Sequence, residues 1–201
     1  MELRTLLASA LLVATVGLHI PCHADQYVPD WLVTSRSLVQ QLGSELKGEL
    51  TAAIGQSGPT GAIDVCRTRA PEIASKLSRE SGATVSRTAL RVRNPANAPD
   101  ELQRAVLEQF AADLASGRVE QPLEAAVEIN RGGAIERRYM RAIPTDALCL
   151  TCHGAHLAPD VAAAIAKAYP DDQATGFETG QLRGAFSVTW PAVALPAPSG
   201  H

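Results

Sequence analysis

Residues 123–154 read "LEAAVEINRGGAIERRYMRAIPTDALCLTCHG". Two alternating stretches, "LEAAVEIN" and "AIERRYMRAI", flank Gly132-Gly133, a pair free to adopt the left-handed backbone of a tight turn, so residues 123–143 predict a β-hairpin. The second strand runs straight into Cys149-Leu150-Thr151-Cys152-His153. A sheet and a reactive motif thus share one short stretch of chain.

Outward from this stretch, the pattern alternates between helix and strand. Downstream, a short helix is expected near 158–168 and a last strand in "LRGAFSVTW" at 182–190. The remainder, "PAVALPAPSGH" at 191–201, is proline-rich and reads as a loose tail. Upstream, Leu38, Leu42, Leu46, Leu50 and Ile54 recur every four residues, which predicts a long helix over 31–54. "GQSGPTG" at 55–61 is expected to end it. A second helix follows at 62–82, with Pro71 predicting a kink or restart just after Cys66. At 84–94, "TVSRTALRVRN" alternates as a strand that would carry Arg87, Arg91 and Arg93 on one face. Pro99, Asp100 and Glu101 suit the first turn of a helix whose stripe is Leu102, Val106, Phe110 and Leu114 and which stops at Gly117. The sum is an α+β domain, residues 25–190, built on an antiparallel sheet flanked by helices.

The 201 residues are 46% hydrophobic and 19% charged, as expected of one globular domain with a real core. A formal net charge of −3 gives no reason to expect nucleic acid or an anionic membrane surface as a partner. Residues 1–24 read as an export signal: an arginine, an apolar run from about Leu6 to Ile20, then Pro21 and a cleavage point after Ala24. The run is too short, and too interrupted by His19, for a comfortable membrane span. A lipid-attachment reading at Cys22 lacks the small residues before it. Export to the periplasm or beyond is therefore expected, with no membrane span after cleavage. The mature chain then keeps Cys66, Cys149 and Cys152, with His153, His156 and His201, and Met140 as its one methionine.

Two thiols separated by two residues, with a histidine after the second, have the spacing for covalent c-type haem attachment. The thiols reach the two vinyl groups on one porphyrin edge, and the histidine offers a ring nitrogen to the iron. A redox dithiol would use the same cysteines, but the flanking sequence shows no strand–helix–strand unit of the thioredoxin kind. A structural zinc would need four ligands, and only Cys66 and His156 stand ready to complete the set.

On the far side of the iron, several ligands compete. His156 lies too close to the motif to cross the ring and reads as a surface residue. His201 ends the tail. Met140 would make an ordinary His/Met cytochrome, or serve as a core residue. Cys66 is the third thiol of an exported chain. Ligation would give it a use, and burial as a small hydrophobe is the plain alternative.

Four separated blocks add a resemblance: "AIDVCRTRAPEIA", "VSRTALRVRNPANAPDELQ", "RYMRAIPTDALCLTCHG" and "YPDDQATGFETGQLRGAFSV". With these, nearly all the mature chain resembles a family of exported, single-haem c-type proteins of PAS-like fold, long catalogued as a domain of unknown function. The resemblance implies that Cys66 coordinates the iron opposite His153. It further implies a pocket to which Arg87, Arg91, Arg138, Tyr139 and Met140 contribute. Some of the arginines would meet the haem propionates, for which guanidinium groups are well matched. A thiolate-ligated, six-coordinate iron implies a low potential and leaves no open position for substrate, so no enzyme activity is expected. The functions in view are a redox sensor or sensor of nitric oxide or carbon monoxide, signalling through a separate protein partner, and a low-potential electron carrier.

Overall fold

A computed structural model describes residues 28–117 and 122–194. The expected leader, residues 1–24, and the end of the expected tail, from residue 195, lie outside the described residues. Among the described residues no helix is long and apolar enough to cross a membrane.

Helix α1 runs from Asp30 to Gly61 and buries Leu38, Val39, Leu42 and Leu46, the first half of the four-residue stripe. The segment expected to end it does break it. The break falls at Gly58 alone, at φ 70 and ψ −179, a conformation effectively reserved for glycine. Pro59 then opens the next piece, where its missing N–H costs nothing.

A π-helical turn over Val65–Arg69 carries Cys66 and leads into α2, Ala70–Ser81. Its wide spacing is explicit in the bond from the Ala70 N–H to the Val65 carbonyl. Pro71, in the first turn of α2, has no N–H for the carbonyl four residues back, so a regular α-turn here would lose a hydrogen bond. The restart expected after Cys66 is this turn.

The sheet has the order β1-β4-β3-β2, antiparallel throughout. Its strands are β1 (Thr84–Thr88), β2 (Glu124–Asn130), β3 (Ala134–Pro144) and β4 (Leu182–Ala194). The hairpin is where the sequence puts it. Two strands differ. β1 stops at Thr88, six residues short of the expected end, and the chain from Ala89 leaves the sheet to bond with the segment around Gln173. Arg91 and Arg93 therefore share no strand face with Arg87. β4 runs on through Ala194, so the first four residues of the expected tail join the strand, with Val193 and Ala194 paired to Ile135 and Ala134 at the start of β3.

Helices cover both sheet faces. On one, α1 and α2 pack against Val85, Tyr139 and Val188, neighbours across three strands. On the other, α3 (Glu101–Ser116) packs Leu107 and Phe110 against Met140, Ala142 and Ala185. Asp100 and Gln103 close the start of α3 as a capping box, each side chain taking the other's backbone N–H. Two further helices, α4 (Ala147–His153) and α5 (Pro159–Ala168), follow β3. A small third core of Ile63, Val161, Ile165 and Tyr169 seats α5 against the chain after Pro59. The architecture is the α+β antiparallel sheet with a long N-terminal helix that the sequence predicts.

Candidate functional site

The cysteine motif is the short helix α4. Asp146 caps it, accepting the Cys149 backbone N–H at 3.1 Å and the Cys149 thiol at 3.2 Å. Burial works against ionising Asp146, but Cys149 and a Lys47 ammonium 3.3 Å away hold its carboxyl below the usual range. Burial pushes the Cys149 and Cys152 thiols up. An activated dithiol needs the opposite shift, and the wholly antiparallel sheet contains no parallel strand–helix–strand crossover of the thioredoxin kind. Among the described residues no three His, Cys, Asp or Glu side chains gather as an ion site, and His156 is exposed.

His153 is held tightly. Its Nδ1 lies 2.6 Å from the Ala174 carbonyl oxygen. A carbonyl only accepts, so Nδ1 carries the hydrogen and Nε2 keeps its lone pair. Burial, helped by Arg183 and Arg93, pushes the imidazole down to about 2, so the ring is neutral at ordinary pH. The backbone around it is pinned as well: Phe177 N–H donates to the His153 carbonyl at 2.9 Å, and Gly176 N–H to that of Gly154 at 3.0 Å.

The support for Ala174 is a buried ion pair. Arg93 and Asp172, each 8% exposed, meet through two contacts of 3.1 Å. Arg93 Nη2 also donates to the Cys152 carbonyl at 2.6 Å and the Ala174 carbonyl at 3.2 Å, while Asp172 accepts the Ala174 N–H at 2.9 Å. One guanidinium thus ties the motif helix to the segment that orients its histidine, the arrangement by which outer residues set ligand geometry.

Cys66, Cys149, Cys152 and His153 all line one cavity of about 360 Å³, within the range of small-molecule and cofactor sites. All three thiols are free and half-buried. Leu50 and Ile54 wall the cavity, so the apolar stripe of α1 serves the core with its first half and the cavity with its second. Phe186 and Ile143 line it from the sheet, and Tyr169 from beyond α5. Arg87, Tyr169 and Cys152 lie within electrostatic reach of Cys66, as side chains facing one space would.

The cavity is cationic. Arg87 and Arg183 line it, and neither has a carboxylate partner among the described residues. Burial depresses the Arg87 guanidinium and pulls Arg183 down to about 10. Arg183 Nε is buried with no hydrogen-bond partner, a cost a protein seldom carries without a reason. Two uncompensated guanidiniums suit a ligand carrying two carboxylates.

Of the pocket residues expected from sequence, only Arg87 reaches this cavity. Arg91 is exposed and bound to the carbonyls of Gln173 and Thr175, because β1 has ended before it. Arg138 is paired with Asp100 and Glu136. Tyr139 is fully buried in the first core, its hydroxyl donating to Glu124 at 2.6 Å. Met140, the next residue along β3, points to the opposite face and packs under α3. Asp146, Asp172, Tyr169 and Arg183 were not singled out in the sequence. Only Asp146 had a local signal there, an N-cap residue three positions before Cys149.

A search of the curated proteins found no match. Among solved structures, the chain is similar to the cyanobacterial heme-protein Tll0287, at 29% identity and a TM-score of 0.61, over 85% of this chain and all of that one. A family model described as Tll0287-like matches residues 19–191. On the strength of that match over most of its length, the chain belongs to the Tll0287-like family.

Proposed function

We propose that this protein is an exported c-type haem protein with one haem, whose iron lies between Cys66 and His153, and that it works as a redox or gas sensor. The observation that carries the reading is the convergence of Cys66, Cys149, Cys152 and His153 on one cavity. The solved relative is a heme-protein, which supports haem as the occupant.

The residues present fit the group. Cys149 and Cys152 would hold it by thioethers to its two vinyl positions. His153, with its Nδ1–H engaged, offers Nε2 to the iron. Arg87 and Arg183 would meet the two propionates, and the buried Arg183 Nε would gain the partner it lacks. Leu50, Ile54 and Phe186 supply apolar walls that exclude water. When bound, the haem would supply a one-electron couple, with the Cys66 thiolate favouring the ferric state and a low potential.

The sensor reading draws on where Cys66 sits. It rides a π-helical turn between a glycine break and a proline, a local geometry that recurs at functional sites in helices. With haem bound, a thiol on such a turn would be the ligand whose withdrawal opens a position for nitric oxide or carbon monoxide. The signal would pass to a separate protein partner. With both positions taken the protein is not an enzyme. The alternative, a low-potential electron carrier, is favoured by the exposed Lys47–Asp146 pair beside Cys149, which brings that edge of the cavity to the surface.

Absorption and electron paramagnetic resonance spectra of the ferric protein, with Cys66→Ser alongside, test the reading. The expected result is a low-spin signal with the narrow g-spread of thiolate ligation, abolished by the substitution. A His/Met-type spectrum indifferent to the substitution would overturn Cys66 ligation, and absence of a Soret band would overturn the haem. Loss of the cysteine on reduction, or prompt nitric oxide binding, supports sensing. Fast outer-sphere transfer with both ligands retained supports the carrier.

A further inference from the structure

A second concavity adjoins the first cavity and shares Arg183 and Gly184 with it. It is a cleft of about 410 Å³ beside the last turns of α3, walled by Leu90, Leu114, Leu182 and Phe177, with Arg91 and Arg183 as its charged residues. Among the described residues no aspartate or glutamate lines it.

Arg91 is unusual for an exposed arginine. Its Nε donates to the Gln173 carbonyl at 3.0 Å and its Nη2 to that of Thr175, while its Cζ stands 4.4 Å from the centre of the Phe177 ring. Arg183 approaches the same ring at 5.3 Å. An arginine normally loses much side-chain freedom when it binds an anion. Here the backbone and the ring already hold it, and no carboxylate among the described residues pairs with it. A preorganised, uncompensated guanidinium at the edge of an apolar cleft is complementary to an anion with an apolar body. A free phosphate would leave the leucine wall unused.

We propose that this cleft binds a small carboxylate with an apolar body, its carboxylate on Arg91 and its body against Leu90, Leu114 and Leu182. Occupancy reaches His153 through Phe177, whose ring stands edge-on to the imidazole with centroids 6.3 Å apart. The Phe177 N–H holds the His153 carbonyl as well. The binding stands by itself, whereas its effect on the iron rests on the haem reading above.

The test is calorimetric titration of the holoprotein with octanoate, below micelle formation, against acetate and octylamine. Octanoate is expected to bind, and the controls, lacking the body or the charge, are not. Arg91→Met and the cleft-filling Leu114→Trp should each weaken octanoate by about tenfold or more, the loss expected for one charge-assisted contact or a blocked cleft. Equal binding by octylamine, no octanoate binding, or undiminished binding by both variants would overturn the site. Saturating octanoate should also shift the ferric resonance signal of the wild-type protein, and an unmoved signal would overturn the coupling to His153. Failure of the haem reading shows separately, as a missing Soret band with the octanoate heat intact.

Discussion

His153 Nδ1 and the Ala174 carbonyl oxygen stand 2.6 Å apart, a contact that commits the imidazole to one tautomer and leaves Nε2 available. What holds Ala174 in place is the Arg93–Asp172 pair, which bonds both its N–H and its carbonyl. The geometry of the candidate ligand therefore depends on two residues that would never touch a metal.

Arg93→Met should be among the most damaging single changes. It strands the Asp172 carboxylate in a site 8% exposed, which typically costs about 3–5 kcal/mol. The urea midpoint of the apoprotein reads this. Adding Asp172→Leu should recover much of the loss, because an apolar pair removes the buried charge. A double variant no more stable than Arg93→Met would show that the backbone bonds to Cys152 and Ala174 dominate.

Met140 and Cys66 should separate cleanly. Met140 packs with Leu107 and Phe110 on the sheet face away from the cavity, so Met140→Ala should cost about 2–5 kcal/mol of stability and leave the haem spectrum unchanged. Cys66→Ser should do the reverse to the spectrum. A spectral change in Met140→Ala at constant fold would make the methionine a ligand.

Gly184→Ala should separate β1 from β4 at the cavity wall. A β-carbon there would lie 2.5 Å from the Thr88 carbonyl oxygen and 3.1 Å from the Ala89 side chain. Backbone must shift to admit it, at about 1–3 kcal/mol. Thermal melting gives the cost, and an unchanged melting temperature would show that the two strands part easily.

Acid should loosen the junction of α1 with the hairpin. Burial alone would raise the Glu124 carboxyl, but hydrogen bonds from Arg36, at 2.9 Å, and from Tyr139 outweigh it and hold it below its ordinary 4.5. A folded-state value below the unfolded one gives stability that is complete above about pH 4.5 and lost as pH falls through the lower folded value. Glu124→Gln should flatten that part of a stability-against-pH curve. An unaltered acid limb would assign the loss to other carboxylates, such as Asp100, which burial opposes but Gln103 and Arg138 hold low.

The hairpin, the cysteine motif and the α1 stripe were legible because each is a local pattern: two-residue alternation about a glycine pair, cysteine spacing, four-residue recurrence. At "GQSGPTG" the local cues held, since Gly58 breaks the helix there and only a short piece follows from Pro59. The same patterns misled where local cues met tertiary ones. "TVSRTALRVRN" alternates to its last residue, but pairing with β4 stops at Thr88. Beyond it Arg93 turns inward and Arg91 outward.

The sequence by itself determined the Cys-x-x-Cys-His motif, the spacing of its thiols and histidine, and the class of fold, since these follow from short-range periodicity and covalent connectivity. Only the tertiary structure decided which distant residues share the cavity. Alternation says that Tyr139 and Met140 point to opposite faces of the sheet, but packing of α1 and α3 decides what each face meets. Cys66 reaches the motif because a kinked helix and a π-turn fold back over the sheet, and Asp172 finds Arg93 because two loops cross. Such contacts depend on the path of the whole chain, and no single window of sequence contains it.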